Sequence, residues 1–501
     1  EPIVDIKIKD KSRVLYSNVD LKKISEITNE HIYNGNYLKE YAFAQISDDG
    51  DQGFEELPEL NDFSPFKFQK RIVSQNFGEI DPTSFEQYVL SGGYKSLDKS
   101  LNSMTPEEVL EEVKNSGLRG RGGAAFSTGI KWSFLAGNDS QTKYVLCNCE
   151  EGDPGAFNDK GILENDPHTL LEGLIIAGYA TKSSHGNIFI RQGHTIPIEN
   201  ARNAVNQAYE NGLLGTNILG SDFNFHVEVS LTGDSYVAGE ETALMEAIEG
   251  KRSMPRFRPP SPAQSGLWGK PSNINNVKTL SYVPWIIDNG SKEFKNIGTE
   301  SSPGTAIVCL SGHIKNRGMY EIPFGMSLGD LLHNVGGGSS TGKEIKILQT
   351  GGPLGGVLGK EAFDVIMDFD EMAKAGAILG SGGIIVGDQN VDVVDLIRNL
   401  IAFNQFESCG KCFPCRLGNT HMLEILERAC DGESSIGDLD VVKKIGENMK
   451  VGSLCGHGQL GYNPISSALK FFDEEFINKM TNFSNNEKKI HKMILPSRTR
   501  P

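Results

Sequence analysis

The stretch that decides the fold is Gly117-Leu-Arg-Gly-Arg-Gly-Gly-Ala-Ala-Phe-Ser-Thr-Gly-Ile-Lys-Trp132. Its glycines loosely match the G-x-G-x-x-A fingerprint of dinucleotide-binding folds, which requires a strand before the first glycine. Instead, Thr105-Pro-Glu-Glu-Val-Leu-Glu-Glu-Val113 precedes it, with the cap and spacing of an amphipathic helix. The ordinary dinucleotide fold is therefore disfavoured. The loop still exposes backbone N–H groups before a helix, with Arg121 and Lys131 nearby, which suits an anionic phosphate. A glycine-rich loop without a ligand is the alternative.

Around this loop, residues 86–300 alternate helices with short apolar strands and predict an α/β domain. The predicted strands are Tyr144–Asn148, Asn187–Arg191 and Phe225–Val229. Residues 301–385 predict a small β-rich module with strands at Ala306–Ser311 and Glu344–Gln349 and one helix at Ser327–Val335.

Both ends of the chain have a different character. Residues 386–485 predict an antiparallel four-helix bundle with short connections, its helices being Val391–Phe406, Leu417–Cys430, Leu439–Met449 and Pro464–Met480. Residues 486–501 are a tail. Residues 1–45 predict a strand pair, Ile3–Ile8 and Val14–Tyr16, followed by an amphipathic helix from Leu21 to Tyr33. Residues 46–85 are polar and predict a linker wrapped on the surface.

Composition narrows the class of protein. The 501 residues carry a net charge of −16, which argues against nucleic acid as a partner because phosphate binding needs a basic surface. No apolar run reaches the roughly 18–20 residues of a membrane span, and no signal peptide is recognisable. The chain begins with Glu-Pro, so we expect Glu1 to be a processed or truncated end. We expect a cytoplasmic protein without direct membrane insertion.

Glu407-Ser-Cys-Gly-Lys-Cys-Phe-Pro-Cys415 is the strongest local motif. Tandem Cys-x-x-Cys steps bring three thiolates together, and a distant cysteine supplies the fourth ligand of an iron–sulfur cluster. Cys455, between glycines in an inter-helix loop, is the preferred fourth ligand. Cys430 is the competitor, with a buried structural thiol as its simpler interpretation. Zinc is the alternative metal, although it favours paired Cys-x-x-Cys or Cys/His hooks.

Three further motifs are ambiguous singly. Cys147-Asn-Cys-Glu-Glu-Gly-Asp-Pro-Gly155 follows a predicted strand, where α/β sites form, and Tyr236-Val-Ala-Gly-Glu-Glu-Thr-Ala243 opens a helix. Carboxylates so placed can hold ribose hydroxyls, although clustered carboxylates are most often a solvated face. Pro255–Ser261 and the pair Asn275-Asn276 form a Pro/Gly-rich loop in which amides can bind a heterocycle.

Together, over about residues 86–480, these motifs resemble the NADH-binding flavoprotein subunit of respiratory complex I. They are also similar to its relatives in soluble NAD(P)-linked hydrogenases, including electron-bifurcating iron-only hydrogenases, and formate dehydrogenases. The resemblance implies an α/β multidomain chain with a non-classical FMN-binding domain, a ubiquitin-like β-grasp module and a helical [4Fe-4S] domain. Residues 1–45 are similar to the second half of the thioredoxin-like domain that precedes the flavoprotein in the hydrogenase relatives.

The resemblance also implies site residues. The FMN contacts fall on Gly120, Arg121, Gly122, Gly123, Lys131, Asn148, Glu150, Glu151, Tyr236, Gly239, Glu240, Asn275 and Asn276. The nucleotide contacts fall on Phe126 and Phe134, which stack on adenine, and on Asp153, Glu241, Arg258 and Ser261. The cluster ligands are Cys409, Cys412, Cys415 and Cys455. Glu240 and Glu241 are expected to tune the site electrostatically.

The sequence departs from the family pattern at four of these motif positions. Glu150 replaces the usual Asp of complex I, Ala238 replaces a cysteine that is not a ligand, and Arg258 replaces a Lys. Ser261 replaces a third adenine-stacking aromatic residue. Arg258 beside Ser261 could accept a 2′-phosphate, whereas Glu241 would hydrogen-bond a free 2′-hydroxyl. Of these two opposing features, we expect Glu241 to dominate, which favours NAD(H) and leaves NADP(H) open.

The expected function is therefore that of a flavoprotein component of a redox complex. FMN would exchange hydride with NAD(P)(H), and the [4Fe-4S] cluster would carry single electrons. The expected partners are a [2Fe-2S] thioredoxin-like subunit and a cluster-rich catalytic subunit, with ferredoxin a further candidate. The thioredoxin-like segment, and the lack of a cysteine after Cys455, favour a soluble hydrogenase or formate dehydrogenase complex over complex I. The direction of the reaction, bifurcation and the terminal acceptor stay open, and a scaffold that has lost its flavin is the non-enzyme alternative.

Overall fold

The computed structural model describes residues 2–48 and 50–480. Glu1, the predicted tail 486–501 and the last five residues of the predicted helical domain lie outside the described residues. None of the described helices is both long enough and apolar enough to cross a membrane.

The N-terminal segment forms a three-stranded antiparallel sheet in the order β1-β2-β3. Its elements are β1 (Ile3–Ile6), β2 (Arg13–Ser17), α1 (Leu21–Ile27), a π-helical extension of α1 (Thr28–Tyr33) and β3 (Ala42–Ile46). Asp20 caps α1 by accepting hydrogen bonds from the backbone of Lys22 and Lys23. The predicted strand pair and helix are confirmed, β1 being two residues shorter. Strand β3 was not predicted.

Between β3 and the helix that begins at Phe85, the described residues of the predicted linker 46–85 form short 3₁₀ turns at Leu60–Asp62 and Phe66–Phe68. The linker is not wholly on the surface, and this part of the prediction is wrong. Leu57 packs into the N-terminal core, while Ile72 and Val73 are buried in the core of the next domain. The buried carboxylate of Glu321 accepts the backbone N–H groups of Ile72, Val73 and Ser74, which compensates their loss of water.

The α/β domain contains a four-stranded, all-parallel sheet in the order β6-β5-β4-β7. Its strands are β4 (Tyr144–Cys149), β5 (His185–Arg191), β6 (His226–Thr232) and β7 (Ser272–Asn276). Its helices are α2 (Phe85–Leu90), α3 (Lys95–Ser103), α4 (Pro106–Asn115), α5 (Thr128–Ala136), α6 (Asn158–Asn165), α7 (Pro167–Ala180), α8 (Thr195–Glu210), α9 (Glu241–Ile248), α10 (Val277–Ser281), α11 (Val283–Asn289) and α12 (Ser291–Lys295). The three predicted strands are confirmed as β4, β5 and β6.

Strand β7 was missed because its sequence, Ser-Asn-Ile-Asn-Asn, is polar and lacks the residues that favour strands. It forms by pairing with β4, and the pairing aligns Asn148 with Asn276. Two predicted site residues thus reach the same edge of the sheet.

The next module is a five-stranded mixed sheet in the order β11-β10-β12-β8-β9. Its elements are β8 (Thr305–Gly312), β9 (Gly318–Pro323), α13 (Leu328–Asp330) with its π-helical extension Leu331–Val335, β10 (Ile345–Thr350), β11 (Val357–Gly359), α14 (Phe369–Ala375) and β12 (Gly383–Asp388). Strand β12 lies parallel to β8, while the other pairs are antiparallel. Since β12 ends at Asp388, the module extends three residues past its predicted boundary at 385.

The C-terminal domain is helical, as predicted. Its helices are α15 (Val393–Phe406), α16 (Phe413–Cys430), α17 (Gly437–Gly452), α18 (Gly456–Gln459), α19 (Asn463–Phe471) and α20 (Asp473–Met480). The predicted single helix Pro464–Met480 is wrong: Phe472, with φ −140° and ψ 31°, leaves the helical conformation and separates α19 from α20.

Candidate functional site

A cleft of about 460 Å³ opens at the carboxyl ends of β4 and β7, the edge at which ligands bind in parallel α/β sheets. Its lining includes sixteen of the predicted site residues: Gly120, Gly122, Gly123, Phe126, Lys131, Asn148, Glu150, Glu151, Asp153, Tyr236, Gly239, Glu240, Glu241, Arg258, Asn275 and Asn276. Arg121, Phe134 and Ser261 do not line it. The cleft is within the size range of small-molecule sites.

The glycine loop forms one wall of the cleft and ends where α5 begins. Ser127 caps that helix. A Cβ atom at Gly122 would lie 2.9 Å from the Cβ of Asn276, so only glycine allows the loop to approach β7 this closely. Gly123 has φ +117°, a conformation open to glycine because other residues would clash with their own backbone.

Arg121 corrects the prediction of a phosphate-binding side chain. Its guanidinium is buried, donates to the carbonyl oxygens of Arg119 at 2.9 Å and Pro303 at 2.7 Å, and stacks over the rings of Tyr282, Phe324 and Phe369. Burial lowers the pKa of Arg121 to about 10. The side chain therefore joins the glycine loop to the β-grasp module and does not face the cleft.

The aromatic residues predicted to stack on adenine are half exposed. The ring centroids of Phe126 and Phe134 lie 6.4 Å apart with a tilt of 38°. Ser261 does not line the cleft. Its backbone N–H donates to Gln264 Oε1 at 3.0 Å. Adenine stacking stays a prediction.

Both basic side chains lining the cleft are paired with carboxylates. Lys131 contacts Glu241 and donates to the carbonyl oxygen of Ile274 at 2.6 Å. Arg258 Nη2 lies 3.0 Å from Glu240 Oε1 and 3.1 Å from Glu241 Oε2. Burial raises the pKa of Glu241, but Lys131 and Arg258 together outweigh burial and lower that pKa. Glu241 is therefore ionised at neutral pH.

A second group of carboxylates follows β4 and is held differently. The Glu150 carboxylate lies 2.5 Å from Arg191 Nη1, yet burial outweighs this partner and raises the pKa of Glu150 to about 8. Glu151 accepts the backbone N–H groups of Asp159 at 2.8 Å and Lys160 at 2.9 Å, and burial raises its pKa to about 7. This side of the cleft thus holds carboxyl groups that can carry a proton near neutral pH.

The cleft also has lining residues that the sequence reasoning missed. They are Ala124, Ala125, Thr128, Asp159, Val237, Ile274 and Thr279 from the α/β domain, Gly351, Leu354, Ile378, Gly380 and Ser381 from the β-grasp module, and Gly456, His457 and Leu460 from the helical domain. The glycine runs around Gly351 and Gly380 signalled close backbone approach, but nothing local identified what approaches. The cleft is therefore shared by three modules.

The four predicted cluster cysteines gather around the start of α16. Cys409 and Cys412 lie in the loop before it, Cys415 in its first turn, and Cys455 directly before α18. The backbone N–H of Leu454 donates to Cys412 Sγ at 3.3 Å, and a Cβ at Gly458 would lie 2.9 Å from the Cβ of Cys415. The Cys455 loop therefore packs directly against Cys412 and Cys415.

Cys430 is separated from this group by its own helix. It lies fifteen residues after Cys415 in α16, which at 1.5 Å per residue is a distance of about 22 Å. Within the part of the chain that the structure describes, no three His, Cys, Asp or Glu side chains, these cysteines included, are arranged around a single metal ion. The four-cysteine ligand set stays a prediction.

Three family models match the chain in this order. They are the Nuo51 FMN-binding domain at residues 113–285, the SLBB domain at 307–358, and the NADH-ubiquinone oxidoreductase-F iron-sulfur binding region at 395–479. The HndC component of the NADP-reducing hydrogenase of Solidesulfovibrio fructosivorans is 45% identical over 82% of this chain and 83% of that one. The matching component of the NADH-quinone oxidoreductase of Escherichia coli (strain K12) is 39% identical over 79% of this chain and 89% of that one. The chain belongs to the Nuo51 family of NADH-quinone oxidoreductase components.

A solved member of a related complex has the same architecture. The crystal structure of an NAD+-reducing [NiFe]-hydrogenase in the H2-reduced state matches with a TM-score of 0.72 and 25% identity, covering 94% of this chain and 75% of that chain. The cofactors of this Nuo51 family member are FMN and a [4Fe-4S] cluster, with NAD(P)H as a fitting substrate. The residues present fit both groups: the glycine cradle at Gly122 has no room for a Cβ, and four free cysteines surround one helix start.

Proposed function

We propose that the cleft binds FMN and the nicotinamide nucleotide together, and that Cys409, Cys412, Cys415 and Cys455 ligate the cluster. One observation carries the proposal: His457 lines the cleft and lies two residues from Cys455. The flavin site and the cluster site thus share a wall. Electron transfer between them needs no further cofactor from this chain.

FMN, when bound, converts a two-electron hydride transfer into single-electron steps. The side chains of the cleft would orient the two ligands and tune the electrostatics of the site around them. The backbone N–H groups of the glycine loop, at the N-terminus of α5, would hold the flavin phosphate. The Asn148, Asn275 and Asn276 amides lie on the adjacent strands β4 and β7 and line the cleft. Each amide donates and accepts a hydrogen bond within the protein, so the ring would meet amides whose orientation is fixed. Glu240 and Glu241 hold negative charge beside Lys131 and Arg258.

The pairing of Arg258 favours NAD(H) as the nucleotide. A 2′-phosphate needs a free guanidinium or ammonium group, whereas both cations of the cleft are engaged by Glu240 and Glu241. Bringing a phosphate to Arg258 would place it against the ionised Glu241. A free 2′-hydroxyl can instead donate to that carboxylate.

The chain serves a multi-subunit redox complex. A hydrogenase or formate dehydrogenase complex is favoured by the similarity to a hydrogenase component, and a complex I component that feeds quinone reduction is the alternative. The partners proposed are a [2Fe-2S] thioredoxin-like subunit and a cluster-rich catalytic subunit. The similarity of residues 1–45 to the second half of a thioredoxin-like domain supports the first of these. Ferredoxin as a further partner and electron bifurcation are proposed for that assembly. All eight cysteines are free, which fits a reducing cytoplasm.

The test is anaerobic ferricyanide reduction by the FMN-reconstituted, cluster-loaded chain, comparing NADH with NADPH at equal concentration. We expect NADH to be the faster substrate. Faster turnover with NADPH would overturn the nucleotide assignment and keep the enzyme class. No turnover with either, despite bound flavin and cluster, would overturn the function.

A further inference from the structure

The segment 255–258 runs from the cleft to the loop that carries the predicted cluster cysteines. Arg258 lines the cleft, and its Nη2 lies 3.1 Å from Glu241 Oε2. The backbone N–H of Arg256 donates to Thr242 Oγ1 at 2.9 Å. Because Glu241 and Thr242 both belong to α9, these contacts fix the segment to that helix.

A second set of contacts joins the same segment to Lys411, which lies between Cys409 and Cys412. Lys411 Nζ donates to the carbonyl oxygen of Pro255 at 2.6 Å and lies 5.0 Å from the centroid of the Phe257 ring. Hydrogen bonds from a charged donor are stronger than those between neutral groups, and a cation over an aromatic face adds an electrostatic attraction. One side chain of the cysteine loop thus holds two residues of the segment that presents Arg258.

The segment needs such support because much of it is in contact with solvent. Phe257 is 72% exposed, and the side chain of Arg258 is 46% exposed. When a ligand must order a mobile segment as it binds, the cost of that ordering lowers its affinity. A segment that is already held therefore binds its ligand more tightly. Lys411 provides this support from the helical domain, outside the cleft itself.

We propose that Lys411 is a positioning residue for the nucleotide, which holds the segment 255–258 so that Arg258 is in place before the nucleotide binds. This inference rests on the proposed function and deepens it, because it gives the cysteine loop a role in substrate binding besides electron transfer. Arg258 and Glu241 are the residues proposed to meet the adenosine ribose. The contact therefore acts on the part of the molecule that ADP-ribose shares with NADH.

The test measures the dissociation constant of ADP-ribose, which carries no nicotinamide and undergoes no redox reaction, by calorimetry on the FMN- and cluster-loaded full chain. For Lys411→Met, which loses both contacts, we expect this constant to rise about tenfold, with unchanged FMN and iron content. The KM for NADH in ferricyanide reduction should rise by a similar factor, with kcat within about twofold. Lys411→Arg keeps a cation that can donate and stack, and it should restore binding to within about threefold of wild type.

Arg416→Met is the matched control for the loss of a positive charge. Arg416 is an exposed cation close to the same cysteines, and its Nη1 donates to the carbonyl oxygen of Gly410 at 2.5 Å. Its removal changes the net charge by the same amount and leaves the contacts of Lys411 with the segment 255–258 in place. We expect the dissociation constant of ADP-ribose to stay within about twofold of wild type. An equal rise in Lys411→Met and Arg416→Met overturns the inference, because charge alone would then explain both.

An unchanged dissociation constant in Lys411→Met overturns the inference as well. If Lys411→Met does not load its cluster, Phe257→Leu tests the same contact from the other side. That variant loses the aromatic face, so we expect a rise of about threefold, and an unchanged constant overturns the inference. A wild-type chain that holds FMN and the cluster but does not bind ADP-ribose instead overturns the proposed function, so the two failures are distinguishable.

Discussion

The backbone N–H of Tyr236 donates to Glu407 Oε2 over 2.9 Å. Tyr236 lines the cleft, and Glu407 lies two residues before Cys409. The Tyr236 ring also packs against Phe403, with centroids 5.3 Å apart, and against His457, at 5.8 Å. The flavin cleft and the cluster loop are therefore built as one unit.

Removing the Glu407 acceptor should slow electron transfer to the cluster. In Glu407→Ala the Tyr236 N–H loses its partner, which costs about 1–3 kcal/mol and loosens the contact between the loops. We expect cluster reduction by NADH, followed by freeze-quench EPR, to slow about fivefold, with flavin bleaching within twofold of wild type. Glu407→Gln, which keeps an acceptor oxygen, is the control. Equal rates in the Ala and Gln variants would contradict the coupling.

Glu241 should control the choice of nucleotide. In Glu241→Gln the negative charge is lost, which frees Lys131 and leaves Arg258 paired with Glu240 alone, so a 2′-phosphate would meet less repulsion. We expect the ratio of kcat/KM for NADPH to that for NADH to rise about tenfold, equivalent to about 1.4 kcal/mol. Glu246→Gln on the same helix, which removes a partner of Arg256 outside the cleft, should leave the ratio within twofold. If the NADPH to NADH ratio of kcat/KM is unchanged in Glu241→Gln, Glu241 does not control the choice of nucleotide.

Glu150 should make the stability depend on pH. Burial raises its pKa from an ordinary value of 4.5 to about 8, so between these values the folded chain holds a proton that the unfolded chain releases. The contribution of the Glu150 proton to the free energy of unfolding is complete below about pH 4.5 and is lost as the pH rises through about 8. We expect urea unfolding to show a loss of at most about 3 kcal/mol between pH 6 and 8, and Glu150→Gln to flatten this slope.

Asp234→Asn provides the matched control for Glu150, because Asp234 also pairs with Arg191 but is exposed and does not line the cleft. That variant should keep the wild-type slope. If the free energies of unfolding of wild type and Glu150→Gln change in parallel between pH 6 and 8, Glu150 is ionised throughout that range and the prediction is wrong.

Cys455 and Cys430 should differ in their effect on the cluster. Cys455→Ser removes a proposed ligand, so we expect loss of the [4Fe-4S] EPR signal and of bound iron, with FMN retained. Cys430→Ser should keep the full iron content because this thiol lies about 22 Å along the helix from Cys415. Iron loss in Cys430→Ser alone would reverse the assignment.

Arg121 should matter for stability rather than for binding. A lysine cannot reproduce both hydrogen bonds and the stacking of the guanidinium, so Arg121→Lys should lower the free energy of unfolding by about 1–3 kcal/mol and leave FMN affinity within twofold. Lys131→Met, which removes a cation that lines the cleft, should weaken FMN binding instead. Weaker FMN binding in Arg121→Lys, measured by flavin fluorescence titration, would contradict this.

Much of the fold was predictable because its signal is local. The apolar strands β4 to β6 and the long helices α15 to α17 repeat their hydrophobic residues with the periods of strand and helix. Strand β7 has no such signal, since its polar residues form a strand only when β4 supplies hydrogen bonds. The break at Phe472 was equally invisible, because the hydrophobic period continues across it.

The candidate site divides in the same way. The family resemblance implied sixteen residues that line the cleft. It also implied an FMN contact for Arg121, whose side chain does not face the cleft. The direction of that side chain follows from the carbonyl oxygen of Pro303 and three rings. Two of those rings belong to another module.

The sequence by itself determined the chemistry of this protein: thiolates spaced for an iron–sulfur cluster, a glycine loop for a phosphate, and carboxylates and amides for a dinucleotide and a flavin. These depend on residue type and short spacing, which are local. Only the tertiary structure decided that Lys411 contacts Pro255, that both cations of the cleft are paired, and that His457 joins the cleft to the cluster loop. These contacts arise where separately encoded modules pack together, and the packing of distant surfaces is set by the whole core rather than by any one stretch of chain.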